Sequence, residues 1–239
     1  MKPAFVAGAT GYVGRALVGR LAADGAAVVA HVRPDSRVAE DTLEAFRRAG
    51  ARIDRTPWEE EAMRATLAAT DPERVFVLLG TTRKRMARAR RLGVQAGYAE
   101  VDEALPLLLI GAAISAGVAP TLVYLSSLGA DPDSRNAYLR ARGVVERACA
   151  ASPLPWLVVR PSFITGPDRV ESRPAERLGA LAIDGVLAVL RRLGWSGPAW
   201  RYGSLDAEAV ARALDRLSRD VPPTGMVVEG RELREAARA

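Results

Sequence analysis

Tyr138 and Arg142 stand four residues apart in the stretch YLRARGVVE, 138–146. On a helix that spacing puts both side chains on one face. A phenol beside a fixed cation is a proton donor and acceptor, because the positive charge favours phenolate. Shortly before it the chain reads Ser126-Ser127, directly after an apolar run. Either hydroxyl can hydrogen-bond a substrate oxygen. Near the start, Gly8-Ala9-Thr10-Gly11-Tyr12-Val13-Gly14 follows the apolar run 4–7 and opens a helical pattern. A strand, a glycine turn and a helix start in that order hold a dinucleotide pyrophosphate. Gly8 permits the tight turn, Gly11 lets the backbone approach the phosphates, and Gly14 lets the helix lie near its strand. The chemistry these residues add up to is hydride transfer by a nicotinamide, with a serine, a tyrosine and a cation as the proton relay.

The elements that must position them alternate between strand and helix. Helix one is predicted over 12–23, with Val13, Leu17, Val18 and Leu21 at helical spacing, and Asp24-Gly25 ends it. Strand two covers 27–32. The residue just past it faces the adenosine ribose in this kind of fold. Arg33 stands there, with Arg37 nearby, which favours the 2′-phosphate of NADP; Asp35 is close and keeps NAD open. A helix is predicted over 36–49, a short strand over 51–55, a helix over 58–69 and a fourth strand over 74–79. Gly80-Thr81-Thr82 ends that strand, small and hydroxylated, as a cofactor crevice needs. Further on come a long apolar helix (100–116), a strand (121–125), a helix (136–150) and a strand (155–159) that runs into Arg160-Pro161-Ser162. Helices at 177–193 and 206–219, an edge strand at 225–229 and a short or frayed helical tail from Arg231 complete the chain. This alternation predicts one doubly wound, Rossmann-like parallel α/β sheet over 1–239, with a small C-terminal substrate-side extension mainly in 162–205.

Composition narrows the function classes. Of 239 residues, 49% are hydrophobic, enough for a large core, yet no apolar run is long enough to span a bilayer. The N-terminus enters a strand directly, so no signal peptide is expected. One cysteine, Cys149, and one histidine, His31, argue against a disulfide, a zinc site and a histidine-based triad; they fit a cytoplasmic setting. Cys149 reads as a packing or surface residue on its helix and not as a nucleophile, since no histidine partner is available. The formal charge of +6 suits anionic ligands. All basic residues but Lys2 and Lys84 are arginines. The densest basic run, RKRMARARR at 83–91, reads as a solvated face, as a loop that draws in an anionic substrate, or as a nucleic-acid patch. No aromatic residue is interleaved to stack bases, which argues against the last.

The motifs GATGYVG (8–14), LLGTTR (78–83), LSSLGAD (125–131), YLRARGVVE (138–146), VRPSF (159–163) and DRVESRPAE (168–176) occur in one order over most of the chain. In this the chain resembles the atypical short-chain dehydrogenases/reductases, and more narrowly the family of the Tat-interacting oxidoreductase with its NmrA-like and epimerase-like relatives. The resemblance implies that Thr10 to Val13 contact the pyrophosphate, Arg33 the ribose phosphate, and Leu79-Gly80 the adenosine side. It implies Tyr138 as the general acid/base, helped by Ser127 or Ser126. It places Arg160-Pro161, Ile164 and Arg173 on the cofactor or substrate side. Arg142 departs from the pattern, since the family has a lysine there, and arginine is larger and planar.

Two functions follow as expectations. One is an NADPH-dependent oxidoreductase acting on a small carbonyl compound. The other is a redox sensor that binds NADP(H) and acts through a protein partner without turnover. The intact serine and tyrosine favour the first and Arg142 the second. Nucleic-acid binding is the weakest reading, no metal and no membrane contact are expected, and the oligomeric state is left open between monomer and homodimer.

Overall fold

The computed structural model describes residues 2–36, 38–81, 86–87, 91, 97–165 and 204–238. Seven strands form one fully parallel sheet: β1 (Ala4–Ala7), β2 (Val28–His31), β3 (Arg52–Asp54), β4 (Arg74–Val77), β5 (Thr121–Leu125), β6 (Trp156–Arg160) and β9 (Met226–Glu229), in the order β3-β2-β1-β4-β5-β6-β9. β1 and β2 are buried along their whole length, β4 and β5 beyond their first residues, and β6 through its middle. Burial on both faces is why these strands read as continuous apolar runs and not as alternating ones. Between β6 and β9 lie β7 (Phe163–Ile164) and β8 (Ser204–Leu205), a separate parallel pair. Each is two residues long, too short to show a period in the sequence.

Helices cover both faces. α1 (Tyr12–Ala23), α2 (Glu40–Arg48), α6 (Ala207–Leu217) and α7 (Gly230–Arg238) pack on one side through Leu17, Leu21, Phe46, Leu214 and Leu233. α3 (Glu60–Thr70), α4 (Leu105–Ser115) and α5 (Ala137–Ala151) pack on the other through Met63, Leu67, Leu109, Val145 and Cys149. Asp215 of α6, with its side chain 1% exposed, receives Arg20 of α1 and Arg74 of β4 and so ties the C-terminal helices to the sheet. Burial pushes the Cys149 thiol up to about 12, consistent with a packing role.

The predicted doubly wound architecture is the one observed, and several boundaries move. α2 starts at Glu40 and not at 36, because 33–36 close a turn in which the Ser36 N–H donates to the Arg33 carbonyl. The helix predicted over 100–116 is two pieces, a π-helical turn at Ala99–Ala104 and then α4. Pro106 explains the break: four residues after Asp102, an α-helix needs an N–H that proline lacks. After β8 the chain returns to the main sheet through β9. The helix expected at 177–193 and most of the substrate-side stretch lie outside the described residues.

His31 ends β2 at 2% exposure, between Phe5 and the edge of Trp58. Its Nε2 lies 2.8 Å from the Thr56 carbonyl, which can only accept, so Nε2 carries a proton and donates it. Burial lowers the His31 pKa from 6.5. The unfolded chain therefore binds the extra proton first as pH falls. Stability is expected to be full above about pH 6.5 and to drop below it, by at most about 1.4 kcal/mol per pH unit. Urea unfolding between mildly alkaline and mildly acidic pH measures this. The drop should be missing in His31→Leu, and a flat wild-type profile would refute it.

Candidate cofactor crevice and acid–base site

The carboxyl ends of β1 and β4 are adjacent, with Ala7 opposite Val77, and the strand order reverses direction between them. Ligands of open parallel sheets sit at such a switch point. Gly8 leaves β1 at φ +86°, and a Cβ on it would lie 2.6 Å from the Leu78 carbonyl oxygen. A Cβ on Gly14 would lie 2.2 Å from the Gly8 carbonyl oxygen. Both positions therefore require glycine, and the turn lies flat on the strand ends. Gly11 is the N-cap of α1 and brings no side-chain hydrogen bond, so the helix opens on its backbone and the positive end of its dipole. Arg15 Nη1 donates to the Thr10 carbonyl at 3.1 Å and braces the turn. Tyr12 and Val13 start α1. This cradle fits the diphosphate of a dinucleotide.

Arg33 follows Val32 at the end of β2 with its side chain half exposed, and it pairs with the Asp35 carboxylate at 3.7 Å. A surface pair of that length holds a guanidinium weakly. Leu79 is buried, while Gly80 and Thr81 are half-buried beside it. Arg37, Thr82 and Arg173 lie outside the described residues, as does most of the run 83–91.

Tyr138 and Arg142 share a face of α5, as their spacing predicts, and the guanidinium lies 5.1 Å from the centre of the tyrosine ring. Asn136 caps α5 and accepts from the Tyr138 N–H at 3.0 Å, which fixes where the helix starts. Tyr98 also packs on the Tyr138 ring, 5.3 Å between centroids. Arg142 is 6% exposed. Its Nη2 donates to Asp102 at 2.6 Å, and its Nη1 to the Leu125 carbonyl at 2.8 Å and to the Tyr124 hydroxyl at 3.4 Å. Burial works against the Arg142 charge, but Tyr124, Tyr138 and Asp102 outweigh it and raise its pKa. Burial likewise raises the pKa of the Asp102 carboxyl, with Arg142 and the Thr81 N–H pulling the other way. The Nε of Arg142 is buried without a partner among the described residues.

The two serines part company. Ser126 is 4% exposed and donates to Glu146, which also accepts from Arg160 at 2.9 Å. Arg160 reaches Glu229 as well. The pair Ser126 and Arg160 thus belongs to a network that joins β5, α5, β6 and β9. Ser127 is half-buried, and its contact is a long one, 3.5 Å to the neighbouring Leu128 carbonyl, so its hydroxyl is the freer of the two. Pro161 is buried and Ile164 packs against the core. Sequence reasoning missed Asp102, Tyr124 and Glu146. Asp102 stands between Glu100 and Glu103 at the start of the apolar helical stretch, so nothing in the sequence singled it out. Glu146 had a signal, four residues beyond Arg142.

Protein FMP52, mitochondrial, of Coccidioides immitis (strain RS) is 30% identical over 222 residues, which cover 87% of this chain and 82% of the fungal protein. Among solved structures, a Burkholderia cenocepacia J2315 protein is 23% identical with a TM-score of 0.66, over 95% of this chain and 75% of that chain. The Thermus thermophilus UDP-glucose 4-epimerase in complex with NAD is 17% identical with a TM-score of 0.65, over 99% of this chain and 81% of that chain. These two likenesses concern the fold. The sequence model of the family described as NAD(P)H-binding matches residues 8–181 and takes in the glycine turn, Tyr138 and Arg142. With that match over most of its length, the chain belongs to the NAD(P)H-binding family.

Proposed function

We propose that this chain is an NADP(H)-dependent oxidoreductase of the atypical short-chain dehydrogenase type, related to the Tat-interacting oxidoreductase group and acting on a small carbonyl compound. The observation that carries the reading is the packing of Tyr138 against the buried guanidinium of Arg142, at the end of the sheet where the glycine turn lies. A nicotinamide, when bound, supplies the hydride. The glycine turn and the start of α1 hold the diphosphate, with Leu79 and Gly80 on the adenosine side. Arg33 takes the 2′-phosphate, with Arg37 beside it in sequence. Ser127 hydrogen-bonds the carbonyl oxygen, and the Tyr138 hydroxyl gives that oxygen its proton as the carbonyl becomes an alcohol. Ser126 and Arg160 support from below. The setting proposed is the cytoplasm, although the similar fungal protein bears a mitochondrial name.

The sensor reading keeps one supporting observation. The charge of Arg142 is matched by Asp102, where a free cation would serve the tyrosine better. A chain of that kind binds NADP(H), turns over slowly or not at all, and reports through a protein partner.

Fluorescence titration with NADPH and NADH tests the cofactor part. NADPH is expected to bind more tightly, and Arg33→Ala should narrow the gap by about 1 kcal/mol, less than a buried charge-assisted contact because the side chain is half exposed. Equal or tighter binding of NADH overturns the preference. Failure of both cofactors to bind overturns the function.

A further inference from the structure

Asp102 is 0% exposed, and its two oxygens serve two different elements. Oδ1 accepts from Arg142 Nη2 of α5 at 2.6 Å, and Oδ2 accepts from the Thr81 N–H just past β4 at 2.8 Å. A carboxylate wholly out of water persists only where both oxygens are matched. The carboxylate comes from the π-helical turn Ala99–Ala104, a widened geometry that recurs where a helix must aim one side chain. The fit is close beside Gly80. A Cβ on Gly80 would lie 2.5 Å from Arg142 Nη2 and 3.3 Å from Asp102 Oδ1.

We propose that Asp102 is a positioning residue, whose single carboxylate ties the acid–base helix α5 to the backbone that borders the cofactor crevice after β4. This rests on the function proposed above. One oxygen fixes Arg142, and the Tyr138 ring rests on that guanidinium. The other oxygen fixes Thr81. Tyr138 thereby keeps a constant place relative to whatever the crevice holds. Displacements of about 1 Å in such an arrangement change rates about a hundredfold.

Asp102→Asn tests this, because a carboxamide offers one oxygen to two donors and one of the two bonds must go. NADPH oxidation is followed with a panel of small aldehydes and ketones, and amide hydrogen exchange is read at Thr81. We expect kcat to fall about 10- to 100-fold while the KM for NADPH changes less than about threefold. The Thr81 amide should exchange about tenfold faster. In an Arg142→Gln background, Asp102→Asn should add little further loss, since the two residues act as one unit. Should Asp102→Asn fail to fold, Asp102→Glu keeps the charge and shifts it by one methylene, and the same split between kcat and KM is expected there. An unchanged kcat overturns the inference. So does a full further loss in the Arg142→Gln background. If the wild type oxidises NADPH with no member of the panel, the proposed function fails and the tie is judged on exchange alone: a faster Thr81 amide in Asp102→Asn supports it, and an unchanged one overturns it.

Discussion

Tyr138→Phe is expected to lower NADPH-dependent carbonyl reduction about 100- to 10,000-fold, the range for losing a general acid. NADPH affinity and the melting temperature should stay close to wild type. The split follows from how the ring is held. Its packing partners are the Arg142 guanidinium and the Tyr98 ring, and phenylalanine presents the same faces to both. The start of α5 is set by Asn136 accepting from the backbone N–H at 138, which the substitution leaves alone. Only the hydroxyl goes, and with it the proton the carbonyl oxygen needs. NADPH absorbance with the carbonyl panel measures the rate, and fluorescence titration measures the affinity. Full activity in Tyr138→Phe would remove Tyr138 as the acid/base. Tight NADPH binding with no turnover in the wild type would move the sensor reading ahead.

The sheet was legible because its strands are buried on both faces. Phe76, Val123 and Val158 sit in unbroken apolar runs that polar or amphipathic segments do not imitate. The glycine turn was legible for a steric reason, since Gly8 and Gly14 stand where a Cβ meets a backbone oxygen. Tyr138 and Arg142 were legible as a pair because helical spacing is local. The partners of Arg142 were not, because they come from elsewhere. Asp102 is 40 residues away and Tyr124 is 18 away, and no local period links them. The same limit hid the difference between Ser126 and Ser127. They are neighbours in sequence, yet one donates to Glu146 and the other only to the adjacent Leu128 carbonyl. The break before α4 was readable in principle from Pro106, but the long apolar run around it argued for one continuous helix.

Arg142→Ala is expected to destabilise the fold by about 3–5 kcal/mol, the cost of leaving a buried charge without its partner. Asp102 would keep its carboxylate at 0% exposure, with Thr81 as its remaining donor. Arg142→Lys is the sharper experiment. If arginine merely drifted into a position meant for an ammonium, lysine should restore a faster enzyme at no loss of stability. The packing argues against drift. The guanidinium meets Asp102 through Nη2 and the Leu125 carbonyl and Tyr124 hydroxyl through Nη1, all at once. An ammonium is a point charge on a flexible stem and reaches Asp102 only by giving up part of that set. Each lost hydrogen bond to a charged donor is worth about 1.5–3 kcal/mol. Arg142→Lys should therefore unfold at lower urea than wild type and reduce carbonyls no faster. The space beside Gly80 points the same way, since that glycine already yields room to Nη2, which a lysine would leave as a gap. Urea melts and turnover on the same preparations decide the matter. A lysine variant as stable as wild type and faster would show that the full set of guanidinium contacts is dispensable. A less stable and no faster one would show that this chain has rebuilt its cation around arginine.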